Sequence, residues 1–324
     1  MAFIKGRLVR LIFLATTVML LSFLLLAYSP FDPVTAYVGA NPKVSAEQRA
    51  LIAAHWGLDQ PPLVRFSHWL KSALSGDLGI SMVYRKPVIA VIKEKFLASL
   101  ALMSVAWLIS GVAGFLLGIL SGMHEGKWLD RVIHGYCYIL ISTPTFWMGI
   151  MFIMVFSVYL GWFPLALSVP IGTLREDVVF LDRLRHLVLP ALTLGLTGIA
   201  NICLHTRQKV IDTLQTEYVL FAKARGETRT QICLNHVVRN VSLPAVTLQF
   251  LSISELFGGA IFIEQVFSYP GLGSATVLAG LRGDLPLLMG IVLISLLFVF
   301  TGNTVADLLY QWIDPRLKEA SSHG

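Results

Sequence analysis

One acidic side chain stands in an unusual place, because Glu255 lies about midway along the largely apolar stretch 244–267. An ionised carboxylate at the centre of a membrane helix costs on the order of 2.5–3.5 kcal/mol, so it should face protein or water and not lipid. Ser252, Gly258 and Gly259 lie at helical spacings of three or four from it, which leaves room beside the carboxylate. We therefore predict that Glu255, Ser252 and Gly259 line a path across the membrane. The alternative is an acid that is protonated or buried against another subunit.

The sequence contains no arrangement typical of catalysis or metal binding. The three cysteines are scattered without a paired spacing, and no histidine pair accompanies Glu255 at ligand spacing. Residues 122–128 superficially resemble a phosphate-binding loop, but three residues separate the two glycines instead of four. Trp128 also stands where a Ser or Thr would have to hold magnesium. We predict no catalytic residue, no metal site, no cofactor and no ATPase in this chain.

Membrane-spanning helices must position these residues, because the composition is that of an integral membrane protein. Of the 324 residues, 56% are hydrophobic and only 14% are charged, whereas a soluble domain carries roughly 25% charged residues. The mean hydropathy is +0.73. This composition excludes a disordered chain, a soluble two-domain enzyme and, despite the net charge of +6, nucleic-acid binding as the main role. We predict an all-α polytopic membrane protein.

Six apolar segments are long enough to cross a bilayer, whose core of about 30 Å requires about 20 residues per helix. Five are free of charged residues, and the one that contains Glu255 also carries Glu264. The predicted spans are 11–29, 96–124, 135–160, 186–206, 244–267 and 285–306. The first could instead be a cleaved signal peptide, but its apolar run is long for one and five more spans follow.

The spans divide the chain into four predicted regions. Residues 1–29 form a tail and the first span, 30–95 an outer loop with short helices, 96–313 the remaining transmembrane domain, and 314–324 a tail. Lys and Arg are concentrated in the connections that are cytoplasmic if the N-terminus is inside. By the positive-inside rule, both termini are therefore predicted to be cytoplasmic.

The outer loop carries signals for two short helices. Ser45 with Gln48 three residues later is typical of a capping box that opens a helix, and Gly57 would end that helix. Pro61 and Pro62 begin a second helix. Its predicted apolar face consists of Leu63, Phe66, Leu70 and Leu74. We predict a small lid at the membrane mouth and not a catalytic domain, because the loop holds no acid–base cluster.

The second span carries a stripe of small residues. Ser110, Gly114, Gly118 and Gly122 recur every four residues, and such a stripe lets helices approach closely in lipid. We predict that it packs inside the chain, and contact with a partner subunit is the alternative.

Residues 206–243, between the fourth and fifth spans, are too many and too rich in helix formers for a plain connector. They include Glu217, Tyr218, Ala222, Ala224 and Gly226, and then His236 and Asn240. Small Ala residues beside a Gly allow a short helix to end and a partner surface to approach the backbone. An amphipathic surface helix without a partner is the alternative.

This segment resembles part of a known family. The run EYVLFAKARG with the later HVVRNVSLP is similar to the EAA loop of ABC-importer permeases, in the branch that moves peptides and nickel. Three further stretches resemble that branch in the right order, namely SGDLGIS at 75–81, EQVFSYPGLG at 264–273 and the C-terminal run that begins with DLP at 284–286. The similarity covers the whole chain. The outer-loop motif at 75–81 resembles that of the first of the branch's two permeases.

The resemblance implies a type I importer permease with six transmembrane helices in the bacterial inner membrane. In the family, the EAA loop forms a coupling helix that sits in a cleft of a separate ATPase subunit. The implied coupling residues are Glu217, Tyr218, Ala222, Ala224 and Gly226, and the implied structural motif residues are Gly76, Asp77, Gly79, Pro270, Gly271, Asp284, Asp307 and Asp314. The implied partners are a second permease subunit in a heterodimer, two ATP-binding subunits, an extracytoplasmic substrate-binding protein and membrane lipid, with no nucleic acid.

The resemblance leaves the substrate open between peptides and nickel or other metal chelates. Nickel-type members have a similar E-L-x-G-G, here from Glu255 to Gly259, which favours a metal-bearing substrate. A secondary transporter or a channel subunit without ATPase coupling is the alternative function. Against it, the sequence contains neither related halves with broken helices nor a filter motif.

Overall fold

The computed structural model of the chain describes residues 2–28, 34, 45–55, 59–165, 168 and 178–313, and the regular elements within these ranges are helices. In chain order they are α1 (Ala2–Ala27), α2 (Ala46–His55), α3 (Pro62–Leu74), α4 (Val88–Met123), α5 (Trp128–Ser142), α6 (Thr145–Phe152), π1 (Ile153–Tyr159), α7 (Phe180–Leu214), α8 (Glu217–Ala224), α9 (Arg229–Ile232), π2 (Cys233–Val237), α10 (Val238–Leu251), α11 (Ile253–Val266), α12 (Leu272–Leu281) and α13 (Leu285–Ile313).

Four helices of the described chain are long and apolar enough to cross a membrane, namely Val9–Ala27 of α1, all of α4, all of α7 and Leu285–Leu308 of α13. Two bent helix pairs also reach the required length and hydropathy when their halves are taken together, and each is either a broken span or a re-entrant loop. The bend is 103° between Trp128–Ser142 and Thr145–Tyr159, and 47° between Arg229–Leu251 and Ile253–Val266. With each bent pair counted as one span, the number is the predicted six, and the all-α fold class is confirmed.

The two bends correct the predicted spans 135–160 and 244–267, which the hydropathy pattern presents as single helices. The first span breaks at Thr143, whose backbone is extended (φ −98°, ψ 122°) because the next residue is Pro144. The second breaks at Ser252, whose Oγ donates a hydrogen bond at 2.8 Å to the carbonyl oxygen three residues earlier. Side-chain bonds of this kind compete with the helix ladder and bend helices.

The chain folds as two compact units. The first unit comprises Met1–Ser99 and Pro270–Phe300, and the second comprises Leu100–Tyr269 and Thr301–Gly324. The division predicted from topology, at residues 29, 95 and 313, stays a prediction.

In the first unit, helix α2 begins where its capping signal predicts. The Ser45 N–H donates to Gln48 Oε1 at 3.1 Å, and the Gln48 N–H donates to Ser45 Oγ at 3.2 Å. These two bonds are the reciprocal pair of a capping box. The helix extends to His55, and the predicted stop at Gly57 lies outside the described residues.

Helix α3 corrects the predicted apolar face of the outer loop. Its buried side chains are Phe66 and Trp69, whereas Leu63 and Leu74 are 65% and 82% exposed. Phe66 meets Phe23 of α1 edge to face, with ring centroids 5.3 Å apart. The aromatic face of α3 is the buried one because α1 offers it an aromatic partner.

In the second unit, α4 and α7 pack along the predicted stripe of small residues. A Cβ on Gly114, Gly118 or Gly122 would come within 2.9, 2.6 and 2.6 Å, respectively, of atoms of α7. From the other side, a Cβ on Gly198 of α7 would lie 2.9 Å from the Cβ of Ser110. Larger side chains would force the helices apart, so the stripe serves close helix packing, and the predicted internal packing is confirmed.

Candidate coupling surface and transport path

Helix α8 lies at the surface of the second unit and carries most of the residues predicted to dock a partner. Glu217, Tyr218 and Ala224 are exposed, as is Gly226 just beyond the helix. Ala222 differs from them, because it is only 3% exposed. Its methyl group packs inward, so Ala222 belongs to the anchor of the helix and not to its exposed face.

Gly226 follows α8 in the left-handed conformation, with a φ of +86°. Its N–H donates to the Lys223 carbonyl oxygen at 3.0 Å, and the Glu227 N–H donates to the Ala222 carbonyl oxygen at 3.1 Å. These two bonds form a Schellman motif, which satisfies carbonyls at a helix end and favours glycine. A Cβ on Gly226 would meet no atom within 4 Å, so the space in front of the glycine is open.

The inward face of α8 is anchored in an apolar core. Val219 is fully buried and belongs to a cluster whose other members are Val210, Ile232, Val237 and Val241, with Phe115, Ile119, Met123 and Leu214 packed against it. Burial of each such side chain stabilises the packing by about 1.5–3 kcal/mol. Helix α8 is therefore joined firmly to α4, α7 and α10, and a force on it would move these helices together.

Polar contacts hold the same helix near both of its ends. Asn240 Nδ2 donates to the Tyr218 hydroxyl oxygen at 3.0 Å and to the His236 carbonyl oxygen at 2.7 Å. His236 Nε2 lies 3.1 Å from Glu227 Oε2, just past the helix end. His236 and Asn240 therefore fix the position of α8 through these contacts.

Two apolar side chains that were missed from the sequence dominate the outward face of α8. Leu220 and Phe221 are 54% and 66% exposed, although both are large, and Tyr218 beside them is 45% exposed. Exposed aromatic and aliphatic side chains grouped in this way are typical of protein interfaces. In the sequence, residues 220 and 221 stand between Val219 and Ala222. This position predicts their exposure only when Val219 and Ala222 are known to be buried.

Glu255 lies in the first turn of α11 and is exposed on the surface of the second unit. Its Oε2 accepts a hydrogen bond from Asn201 Nδ2 of α7 at 3.4 Å, and Asn201 is exposed as well. An exposed carboxylate and an exposed amide on membrane-spanning helices require water or a polar partner, since lipid would leave them unsatisfied. Two helices thus bring polar groups to one surface.

The other predicted pathway residues have different surroundings. Ser252 forms the bend between α10 and α11 and is partly buried. A Cβ on Gly258 would meet no atom within 4 Å, so this glycine keeps the surface beside Glu255 open. A Cβ on Gly259 would lie 3.1 Å from Leu194 Cδ1, so Gly259 allows α11 to pack closely on α7.

Glu255 has no set of metal ligands around it in the described part of the chain, where no group of three or more His, Cys, Asp and Glu side chains could hold a metal ion. A cationic substrate would therefore meet a single carboxylate with one neighbouring amide. A contact of this size attracts a cation and still lets it leave.

The buried carboxylate of Asp284 joins the motif at 75–81 to the start of α13. Its Oδ2 accepts hydrogen bonds from Ser81 Oγ at 2.6 Å and from the Val83 N–H at 2.9 Å. Its Oδ1 accepts one from the Leu287 N–H at 3.2 Å, which caps α13. These donors satisfy a carboxylate that would otherwise be costly to bury.

Gly76 and Gly79 shape the turn that leads to this junction. Both are left-handed, with φ of +89° and +85°, a conformation that glycine adopts without steric cost. Asp77 between them accepts a hydrogen bond from the Gly79 N–H through Oδ1 at 2.9 Å. A Cβ on Gly79 would lie 3.5 Å from Pro286 Cβ, so the turn sits directly against the start of α13.

The remaining motif residues are dispersed. Gly271, which follows Pro270, is the N-cap of α12, and the next N–H, of Leu272, donates to Ser99 Oγ at 2.7 Å. Asp307 is partly buried in α13, and Asp314 lies outside the described residues.

A buried ion pair with no signal in the sequence lies in the second unit. Asp130 is 4% exposed and accepts hydrogen bonds from Arg207 Nε at 2.7 Å and Arg207 Nη2 at 2.8 Å. Ser121 Oγ at 2.6 Å and the Gly126 N–H at 2.9 Å complete its set of donors. The bidentate pair ties α5 to α7. From the sequence, Arg207 counted only as a cytoplasmic charge, because its partner is 77 residues away.

Comparison with known proteins agrees with this architecture. Residues 114–319 match the family described as binding-protein-dependent transport system inner membrane component. The chain is 34% identical over 300 residues to the oligopeptide transport system permease protein AppB of Bacillus subtilis (strain 168), covering 92% of this chain and 93% of that protein. It is 35% identical over 317 residues to the glutathione transport system permease protein GsiC of Escherichia coli (strain K12), covering 98% of each.

Among solved structures, the chain resembles the inward-facing MetNI methionine ABC transporter in its CY5 native crystal form. The TM-score is 0.55 at 16% identity, and the match covers 70% of this chain and 97% of that one. At this identity the likeness concerns the fold alone.

Proposed function

Because the chain belongs to the family of inner-membrane components of binding-protein-dependent transport systems, we propose that it forms half of the path by which an ATP-driven importer takes up short peptides. Its place as a membrane-spanning permease subunit of an ABC importer follows from that membership. The peptide assignment is supported by relatives named for oligopeptide and glutathione transport. A nickel or metal-chelate substrate has only the E-L-x-G-G resemblance in its favour, so peptides are the proposed class.

The proposed assembly contains a second permease subunit, two ATP-binding subunits and an external substrate-binding protein. The proposal of an ATP-binding partner rests on one observation: α8 has one buried face and one exposed apolar face. Its inward side chains Val219 and Ala222 are buried, whereas Leu220 and Phe221 stay exposed. We propose that this outward face, flanked by Glu217 and Ala224, enters an apolar cleft of the ATP-binding subunit.

The proposed path runs past Glu255 and Asn201. Both are exposed on spanning helices, and the open surface at Gly258 leaves space beside them. The carboxylate would attract the ammonium group of a peptide for a moment, as alternating access requires of a contact inside the path.

Phe221→Asp tests the coupling surface. We expect ATP-driven uptake of labelled tri-alanine to fall about ten-fold or more in vesicles that contain the assembled importer and its binding protein, because a carboxylate cannot be desolvated cheaply at an apolar contact. The thermal unfolding midpoint of the chain should not move, since the side chain is 66% exposed. Thr230→Asp, at an exposed position of α9, is the matched control and should transport normally.

Equal uptake by the two variants would contradict the coupling assignment. The same vesicles test the substrate class: uptake of nickel but not of tri-alanine by the wild type would contradict the proposed peptide function and leave the coupling assignment standing.

The proposed orientation, with both termini cytoplasmic and residues 30–95 outside a bacterial inner membrane, follows the distribution of Lys and Arg. A membrane-impermeant maleimide added to intact cells should label Ser72→Cys and spare Thr228→Cys, with Cys233 changed to Ser in both. Labelling of the second position alone would reverse the orientation.

A further inference from the structure

A cleft of about 240 Å³ lies in the first unit, between α3, the turn after it and the start of α13. None of its lining residues belongs to the coupling surface or to the proposed path at Glu255. Its polar lining residues are Gln60, Arg65, His68, Trp69, Ser72 and Asp77, and its apolar floor includes Met82 and Leu285. Arg65, Trp69 and Ser72 follow one another at helical spacings of four and three, so a single face of α3 forms one wall.

One donor in this wall, Trp69 Nε1, has no acceptor within the described part of the chain, and a partly buried cation, Arg65, lies one turn before it. Trp69 is 9% exposed, and its Nε1 is buried without a hydrogen-bond partner. A buried unsatisfied donor is costly, and each one in a folded protein calls for an explanation. The Arg65 guanidinium is partly buried, and its carbon lies 5.8 Å from the centroid of the Phe23 ring. Burial lowers the pKa of Arg65 from its ordinary value, yet a guanidinium stays charged at neutral pH.

The charged and polar groups that line the cleft indicate which anion it could bind. A planar guanidinium with a neighbouring indole N–H matches the two oxygens of a carboxylate. Asp77, which also lines the cleft, would repel a dianion such as phosphate and would accept a cationic group on the same ligand. A molecule with one carboxylate and one ammonium group fits both features.

We propose that this cleft binds the C-terminal carboxylate of a peptide on the outer side of the membrane, through Arg65 and Trp69. The proposal rests on the proposed peptide import and on the proposed orientation. The cleft would hold the carboxylate end of the peptide, and Asp77 would favour zwitterionic peptides over polyanions.

The test uses the full chain in lipid nanodiscs, without ATP, with ¹⁵N in its indole rings. The Trp69 N–H resonance is identified by its loss in Trp69→Phe. Tri-alanine should shift this resonance, and tri-alanine amide, which lacks the carboxylate, should bind about ten-fold or more weakly. Arg65→Gln should weaken tri-alanine binding by a similar factor, and Arg65→Lys should restore part of it because the charge returns without the planar fork.

Lys71→Gln is the matched control, since it removes an exposed cation from the same helix outside the cleft, and it should bind like the wild type. Thermal unfolding of each variant checks that the chain is folded, and if Arg65→Gln unfolds, Trp69→Phe with a calorimetric readout replaces it.

Equal binding of the acid and the amide, or equal affinities in Arg65→Gln and Lys71→Gln, would overturn the proposal. The proposal would also be overturned if Arg65→Gln weakened binding of the external substrate-binding protein but not of tri-alanine. Arg65 would then bind a carboxylate of that protein and not one of the peptide. If wild-type vesicles took up no peptide while the chain still bound tri-alanine in this cleft, the proposed function would be contradicted and the proposed binding at the cleft would stand.

Discussion

Two short segments outside the long apolar helices both contain left-handed glycines. They differ in whether their side chains find partners within their own unit or stay exposed. The Asp284 junction, formed by Asp284 with residues 76–83, buries a carboxylate and supplies all of its donors from within the unit. The coupling segment, residues 217–240, has a helix end capped at Gly226 and a buried inner face but leaves Leu220 and Phe221 exposed. The junction satisfies its polar groups from within, whereas the coupling segment leaves large apolar side chains exposed, as the proposed contact with an ATP-binding subunit requires.

The largest expected effect is on the junction. Asp284→Ala removes three accepted hydrogen bonds, one of which caps α13, and leaves the fully buried Ser81 hydroxyl without its acceptor. We expect the free energy of unfolding to fall by about 3–5 kcal/mol, as measured by denaturant unfolding in detergent.

The matched control for this change is Asp77→Ala, which removes an exposed carboxylate and one local hydrogen bond. It should cost about 0.5–1.5 kcal/mol. Equal losses in the two variants would mean that the buried network does not distinguish the junction from an ordinary surface turn.

In the coupling segment, substitutions at Gly226 should separate stability from transport. Its φ of +86° makes any side chain strained, by about 1–2 kcal/mol for Ala and less for Asp, while the open space avoids a clash. We expect Gly226→Ala to lower stability and keep most of the uptake. Gly226→Asp should be at least as stable as the Ala variant and yet lose ATP-driven uptake, because its charge enters the proposed contact. Uptake by the Asp variant at the wild-type rate would remove the contrast between the two segments.

The smallest effect is expected at Glu255, which belongs to neither segment and is exposed. Glu255→Gln keeps the size of the side chain and removes its charge, so stability should be kept or improved. At equal membrane abundance, uptake of tri-lysine should fall about two- to five-fold, as expected for the loss of one exposed charge contact. Uptake of tri-alanine should hardly change and serves as the internal control. An unchanged rate for tri-lysine would assign Glu255 a structural role.

Local signals in the sequence predicted several features that the structure contains. The capping box at Ser45 and Gln48 needs only a spacing of three, and the end of α8 at Gly226 needs only a residue that tolerates positive φ. The stripe from Ser110 to Gly122 predicted a close helix contact because small residues serve that purpose in lipid. Each of these signals depends on chain neighbours within a turn or two.

Long-range contacts could not be predicted in this way. Asp284 and Ser81 are 203 residues apart, and Asp130 and Arg207 are 77 apart, so no periodicity links them. The partner of Glu255 was missed for the same reason, because Asn201 lies on a different helix. Ala222 and Leu220 were hard to assign because a short helix with apolar residues on both sides does not reveal which side is buried.

The sequence by itself determined the membrane class, the six apolar segments and the position of the short helix α8, because hydrophobicity, charge and helix-ending residues act over distances of a few residues or one span. Tertiary structure alone decided which polar groups meet and which apolar ones stay exposed. It gave Asp284 its donors, placed Asn201 beside Glu255 and left Trp69 Nε1 without an acceptor. These outcomes depend on how distant helices pack, and packing is a property of the folded chain as a whole and not of any window along it.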